Sequence, residues 1–251
     1  MLRDIVINSG ELYIGRKVGD KIHDAILSAE KSIKIVTPYI SSEFVDLLIK
    51  RAKESVDISL IISDDFVGKD KIRYEIFKKL IVQIRHTNEI KQKRRRIGLA
   101  LILFSYLVTA LILIFGFKHT TPFYQYSALL FPLLILLHIY FQKMRIYNYT
   151  YKHLINFTVT MTPYSNPSGF DDDTYLTHAK IFIIDNNLAY VGSMNFTKAG
   201  FYYNYESRIK INDHLAVQSM SEEFSYLREN SNTSYLDLNE LTKKIYTEPA
   251  N

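Results

Sequence analysis

The sequence contains no cysteine. That excludes a disulfide framework, a thiolate nucleophile and a thiolate-held metal. Tryptophan is absent too, but 19 Tyr and 15 Phe supply bulky core material, so this second absence excludes nothing. No hydrophobic signal-peptide core is found in Met1–Gly19, only short apolar pieces such as Leu12-Tyr13-Ile14. Acidic excess is lacking as well: the net charge is +5, which favours anionic partners, either nucleic acid or acidic lipid headgroups. Much of that charge is local, in Lys91-Gln92-Lys93-Arg94-Arg95-Arg96.

What is present begins with alternating helix and strand patterns. Lys21–Lys31 carries Ile22, Ala25, Ile26 and Ala29 at helical spacing. Ser32–Tyr39 reads as a strand. A helix starting at Ser41-Ser42 follows, with Phe44, Leu47, Leu48 and Ala52 on one side. Val56–Ser63 reads as another strand, and the alternation predicts an α/β layered domain. Asp70–Arg96 is expected to be one long helix. Beyond the middle of the chain, helical pattern is expected over Met144–Leu154 and a strand over Asn156–Pro163. Tyr164–Thr177 reads as a polar loop whose Asp171-Asp172-Asp173 is a solvated acidic run. A strand over Glu206–Ile211, a helix over His214–Glu229 and a last helix near Leu236–Tyr246 complete the pattern.

Two long uncharged runs occupy the middle. Ile97–Phe117 holds about 21 residues, which as a helix spans about 30 Å, the thickness of a bilayer core. Phe123–Phe141 follows after a short loop and carries only Pro132 and His138 as interruptions. Together they predict a transmembrane helical hairpin. Lys91, Lys93, Arg94, Arg95 and Arg96 precede it and Lys143 and Arg145 follow it, against only Lys118 and His119 between the spans. The positive-inside rule therefore places both termini and the rest of the chain in the cytoplasm. A basic collar at that depth attracts anionic lipid headgroups. The expected organisation is residues 1–96, the hairpin at 97–141, and residues 142–251. The first and last parts make one domain into which the hairpin is inserted.

The most informative stretch is His178–Thr197, HAKIFIIDNNLAYVGSMNFT. Lys180–Ile184 reads as a buried strand, Asp185–Asn187 as a turn, and Leu188–Val191 as the returning strand. His178 and Lys180 lie two apart, so they project from one face. Gly192 permits a close backbone approach, and Ser193 and Asn195 leave the end of the hairpin toward the same spot. A proton-shuttling imidazole, an ammonium, a hydroxyl and an amide suit a phosphate group. Nothing in the set looks like a metal cage, and no metal or cofactor is expected.

H-A-K-I-F-I-I-D followed by G-S-M-N resembles the H-x-K-x4-D-x6-G-S-x-N signature (HKD) of the phospholipase D superfamily. Thr197, Gly200, Asn204 and Glu206 extend the likeness, and residues 22–63 resemble that family's first half. The resemblance implies an α/β fold, a phospholipase D-like mixed β-sheet flanked by helices, here with the two-helix transmembrane hairpin inserted mid-domain. It also implies a two-step phosphodiester reaction: one His attacks phosphorus, and a second protonates the leaving group. By the same resemblance Lys180 and Asn195 hold the non-bridging oxygens, Ser193 is a further phosphate donor, and Glu206 orients the catalytic His178. Asp185 and Gly192 are structural members of the motif. None of the other six His residues, at 23, 86, 119, 138, 153 and 214, is followed by Lys two positions on. A homodimer in which each protomer supplies one His178 resolves the shortfall. Phospholipid is the expected substrate, with hydrolysis or exchange of headgroups. DNA or RNA is the alternative, for which Phe201-Tyr202-Tyr203 is a candidate stacking surface.

Overall fold

The computed structural model describes residues 5–63, 71–119, 123–160, 177–229, 242–243 and 245–250. The acidic run at 171–173 and most of the helix expected near 236–246 lie outside the described residues. The chain divides into two compact units, residues 1–82 with 152–245, and residues 83–151 with 246–251.

The first unit is built on a seven-stranded mixed sheet. Its strands are β1 (Gly10–Gly15), β2 (Ser32–Val36), β3 (Asp57–Ser63), β6 (Asn156–Thr160), β7 (Ile181–Ile184), β8 (Leu188–Gly192) and β9 (Glu206–Ile211), in the order β1-β9-β8-β7-β2-β3-β6. β2, β3 and β6 run parallel, and the remaining pairings are antiparallel. β3 is buried along almost its whole length, which is why it reads as a continuous apolar run and not as an alternation. The connection from β3 to the parallel β6 carries residues 83–151, the larger part of the second unit.

Helices cover both faces. α1 (Asp20–Ser28) buries Ile22, Ala25 and Ile26, as its periodicity predicts, and α2 (Ser42–Lys53) buries Phe44, Val45 and Leu48. Phe44 stacks on Phe196 at 4.3 Å between centroids, and Phe182 and Phe201 join them in an aromatic core. On the other face α6 (His214–Glu229) lays Ala216, Val217, Met220 and Phe224 against Val36, Ile61, Ile183, Ala189 and Ile211. Burying a side chain of this size contributes about 1.5–3 kcal/mol, so these two layers account for most of the unit's cohesion.

Three expectations are corrected here. The long helix over Asp70–Arg96 is broken: α3 (Lys71–Leu80) ends where β4 (Ile81–Thr87) begins, and helix resumes only at α4 (Glu89–His119). The helix expected over Met144–Leu154 is instead the strand β5 (Tyr147–His153), which pairs with β4 in a separate two-stranded sheet. The physical reason is the same in both places. Ile81-Val82 opens β4 with two β-branched residues, and Tyr147, Tyr149 and Tyr151 alternate with polar residues in β5, so each favours a pleat. The third is β1, an edge strand paired with β9, where only unassigned apolar pieces had been expected.

In the second unit α4 and α5 (Phe123–Lys143) pack side by side, with Tyr106 5.6 Å from Phe131 and 6.1 Å from His138. Gly98 lies under Phe141, whose ring would be 2.4 Å from any Cβ there. The Arg95 Nε–H donates to the Phe141 carbonyl at 3.1 Å. Among the described residues one helix is long and apolar enough to cross a membrane, Glu89–Phe115, and Phe131–Lys143 is a shorter apolar helix. The C-terminal residues belong to this unit: Arg145 pairs with Glu248, and the Ile146 N–H donates to the Ala250 carbonyl at 2.8 Å. The two helices thus share their unit, which begins at Gln83, with most of β4 and β5 and with this tail.

Candidate active site

The site grows from the β7–β8 hairpin. Asp185 and Asn186 take φ of 53° and 52°, the left-handed region that Asp and Asn tolerate, and this reverses the chain in three residues. The Asp185 carboxylate accepts from the N–H groups of Glu30 (3.0 Å), Lys31 (2.7 Å) and Ser32 (2.8 Å), which ties the turn to the start of β2. Burial alone would raise its pKa, but the three N–H donors outweigh that and hold it below the usual carboxylate range. Asp185 stands at the far end of β7 from His178, about 20 Å along the strand direction.

At the near end His178 is exposed and Lys180 is buried. The Lys180 Nζ lies 2.9 Å from Nδ1 and 3.2 Å from Nε2 of His178 and donates to the His178 carbonyl at 2.8 Å. Burial lowers the Lys180 pKa, and the Glu206 carboxylate opposes that shift. Ammonium and imidazole therefore share one small volume, with a carboxylate near enough to act on the charge.

Ser193 and Asn195 arrive from β8. Gly192 is required because a Cβ there would sit 2.1 Å from the Ser207 carbonyl oxygen. That approach lets the Ser193 N–H donate to Ser207 O at 3.1 Å, while the Ser193 Oγ accepts from the Ser207 N–H at 3.0 Å. The Ser193 hydroxyl donates to Glu206 Oε2, and Asn204 Nδ2 donates to Glu206 Oε1 at 3.1 Å. Glu206 is thus held by Ser193 and Asn204, and its recorded hydrogen bonds do not include His178. Asn195 Oδ1 is buried without a hydrogen-bond partner.

Several further residues, Gly200 of the extended motif among them, hold this arrangement. Thr37, fully buried at the end of β2, accepts from the Phe196 N–H at 3.1 Å and donates to the Tyr39 carbonyl at 2.9 Å. Ser41 takes the Phe196 carbonyl through its N–H (3.1 Å) and the Lys198 N–H through its hydroxyl (3.3 Å). Gly200, in the π-helical turn Ala199–Tyr203, lets that turn press against the Asn195 backbone, where a Cβ would lie 2.5 Å from the carbonyl oxygen. Arg208 is buried between the rings of Tyr13 (5.3 Å) and Tyr190 (5.5 Å). Of the three aromatics considered for stacking, Phe201 is fully buried in the core, Tyr202 is half-buried, and Tyr203 is exposed. Among the described residues no group of three or more His, Asp or Glu side chains is placed to hold a metal ion.

The site thus sets an imidazole and an ammonium at the mouth of one strand of a mixed sheet, with an S-x-N loop beside them. The family model described as "Cardiolipin synthase, PLD-like domain" matches residues 138–228, which include every residue of the motif. That match spans 91 of the 251 residues, the part of the chain that carries the His178 motif. No curated protein matches the chain. Among solved structures it is similar to NucT from Helicobacter pylori, with 13% identity, covering 88% of this chain and 96% of that one at a TM-score of 0.47. Nuc from Salmonella typhimurium, a phospholipase D family member, is matched at 14% identity over 90% of this chain and 99% of that one, with a TM-score of 0.45. Phosphatidylserine synthase from Haemophilus influenzae is matched at 12% identity over 94% and 43%, with a TM-score of 0.43.

Proposed function

We propose that the protein is a membrane-anchored phosphodiesterase of the phospholipase D type, acting on phospholipid headgroups at a site shared by two protomers. The observation that carries the reading is the pairing of exposed His178 with buried Lys180 beside the Ser193–Glu206 and Asn195 loop. One His178 imidazole attacks phosphorus and forms a phosphohistidine. The leaving alkoxide takes its proton from the imidazolium of the partner's His178. That imidazole, now neutral, then deprotonates water or an acceptor alcohol, which displaces the phosphoryl group and regenerates both rings.

Lys180 supplies the fixed positive charge for the non-bridging oxygens as negative charge builds. The Asn195 amide joins it by donating from Nδ2 to a non-bridging oxygen. Glu206, braced by Ser193 and Asn204, opposes the lowering that burial imposes on the Lys180 ammonium. The apolar α4, with its basic collar at Lys91–Arg96, supports anchoring by a two-span hairpin with the site on the cytoplasmic side.

The test is a paired assay on detergent-purified chain in excess chelator, offering mixed phospholipid vesicles in one arm and DNA and RNA in the other. Phosphatidate or exchanged lipid is the expected product, falling about a thousandfold in His178→Asn. Nucleic-acid cleavage that vanishes in the same variant would instead make the hairpin a tether for a nuclease. That second reading is favoured by one feature, the exposed Tyr203 and Tyr205 rings flanking the Glu206 segment. Shared catalysis has its own readout. Equal mixing of wild type and His178→Asn during refolding leaves about a quarter of the dimers with two imidazoles, and activity should follow that fraction. Activity that falls only in proportion to the wild-type chain count would show that each protomer acts alone.

A further inference from the structure

Within the second unit, one face of α4 carries a groove of about 430 Å³ where the basic run meets the apolar one. Its upper rim is Lys93 and Arg94, and its wall is Ile90, Ile97 and Leu101, which are 76%, 50% and 61% exposed. Positions 90, 93, 94, 97 and 101 recur at helical spacing, so they form one stripe. Gly98 is the floor: having no side chain, it lets the Phe141 ring of α5 lie flat against α4 and close the groove on one side.

The basic residues of this run are not equivalent. Arg95 is committed within the unit, donating to the Phe141 carbonyl at 3.1 Å. Lys93 and Arg94 have no carboxylate partner among the described residues and flank an apolar trough. In water such a trough is an unfavourable exposed patch. The helical rise puts Leu101 about 10 Å beyond Arg94 along the axis, so at a membrane surface the rim lies at headgroup depth and the wall at acyl-chain depth. A cationic rim continuous with an apolar trough is complementary to one ligand chemistry, a phosphate monoanion joined to a hydrocarbon chain.

We propose that this groove is a binding site for one anionic phospholipid. Its phosphate is held by Lys93 and Arg94, and an acyl chain lies along Ile97, Leu101 and Phe141. The proposal rests on reading α4 as a membrane span. Its residues are not those of the His178 centre, and the lipid it holds is not the one turned over there.

The test uses the full chain carrying His178→Asn, so that no lipid is consumed. Flotation with phosphatidylcholine vesicles comes first. A chain that does not float overturns the membrane reading, and this proposal with it. Detergent-solubilised chain is then titrated with phosphatidylglycerol and with phosphatidylcholine, and bound lipid per chain is read by native mass spectrometry. One tightly bound phosphatidylglycerol is expected, against none for phosphatidylcholine. Lys93→Gln with Arg94→Gln should weaken its retention about tenfold, while the charge-matched pair Arg96→Gln with Lys143→Gln, off the groove, should leave it within about twofold. Leu101→Trp should fill the trough and lose the lipid with no change in charge. Equal losses in the two charge-matched pairs would reduce the effect to a diffuse collar and overturn the site. Displacement of the lipid by a single-stranded oligonucleotide would overturn it in favour of a nucleic-acid patch. Loss of a dimer in place of loss of lipid in Leu101→Trp would overturn it in favour of a second copy of this chain.

Discussion

In the sheet unit Ile33, Ile35, Val36 and Phe182 are completely buried, whereas Leu101, Leu103, Phe104 and Leu107 of α4 are each more than half exposed. Both sets are large apolar side chains, and only the first is taken out of water by its own unit. α1 is apolar on one side and leaves Asp20, Lys21 and Asp24 in water, the pattern of a helix that covers a sheet. From Ile97 to Phe117 α4 carries no charge on any side, so no single packed partner can bury it. Each unit also handles polarity differently. The sheet unit fixes its chemistry with many long-range hydrogen bonds, Thr37 to Phe196 and Asp185 to Lys31 among them. The hairpin satisfies its backbone within its own helices and concentrates charge at one end.

The largest way to break this comparison is to remove one side of it. The Asn88 N–H donates to the Ile146 carbonyl at 2.8 Å, so the ends of the hairpin segment are adjacent. Replacing Glu89–Arg145 with a short Gly/Ser turn should move the protein from the membrane fraction to the soluble fraction almost completely. Its cooperative thermal transition should survive, because no residue of the seven-stranded sheet or its covering helices is removed. Ultracentrifugation and a melting curve check both. An excised chain that stays with membranes would show that the sheet unit binds lipid by itself, and the division of labour would fail.

The second way uses one glycine from each unit. A Cβ at Gly200 would meet the Asn195 carbonyl oxygen at 2.5 Å and its nitrogen at 3.0 Å, both backbone atoms that Thr37 and Ser41 hold through Phe196. Gly200→Ala should therefore cost about 1–3 kcal/mol in stability and lower activity at least about tenfold, since the Asn195 amide must shift. A Cβ at Gly98 would meet Phe141 at 2.4 Å, but that obstacle is the end of a side chain that can turn aside. Gly98→Ala should cost less than about 1 kcal/mol, and helix propensity offsets part of it. Equal losses at the two positions would mean that the hairpin packs as rigidly as the site.

How much of this was legible in the sequence follows the range of the interactions. The β7–β8 hairpin, with its Asp/Asn turn, and α6 with its buried stripe were readable because local pattern decides them. β9 was readable from Glu206 to Ile211 for the same reason. β1 was not, since Leu12, Tyr13 and Ile14 are exposed on an edge and only pairing with β9, some 200 residues away in the chain, makes them a strand. β4 was hidden because the helical spacing of Ile76, Leu80 and Ile84 runs straight through it. In the site, residue types at His178, Lys180, Ser193, Asn195 and Glu206 were visible. The bracing by Thr37 and Ser41 was not, because each acts on a partner's backbone and carries no chemical signature of its own; Gly200 was visible as a motif position, but its contact with the Asn195 backbone was not.

Asp185 gives the smallest effect and the sharpest one, because it separates the motif's structure from its chemistry. Asp185→Asn keeps a residue that tolerates φ near 53° but removes the charge that three N–H groups face. With solvent close by, the loss should be about 1–2 kcal/mol in stability, with the rate constant for turnover within about threefold of wild type. The sign of the pH dependence follows from the shift. The carboxyl pKa is depressed in the folded chain, so the stabilisation is present above the unfolded value of about 3.9 and disappears as pH falls through the lower folded value. The difference in stability between wild type and Asp185→Asn should therefore be constant from neutral pH down to about 5 and shrink as the pH drops below about 4. Denaturant melts across that window measure it. A difference that stayed constant to the lowest pH would mean that turn geometry, not charge, is what Asp185 supplies. A collapse of turnover with stability intact would move Asp185 into the reaction itself.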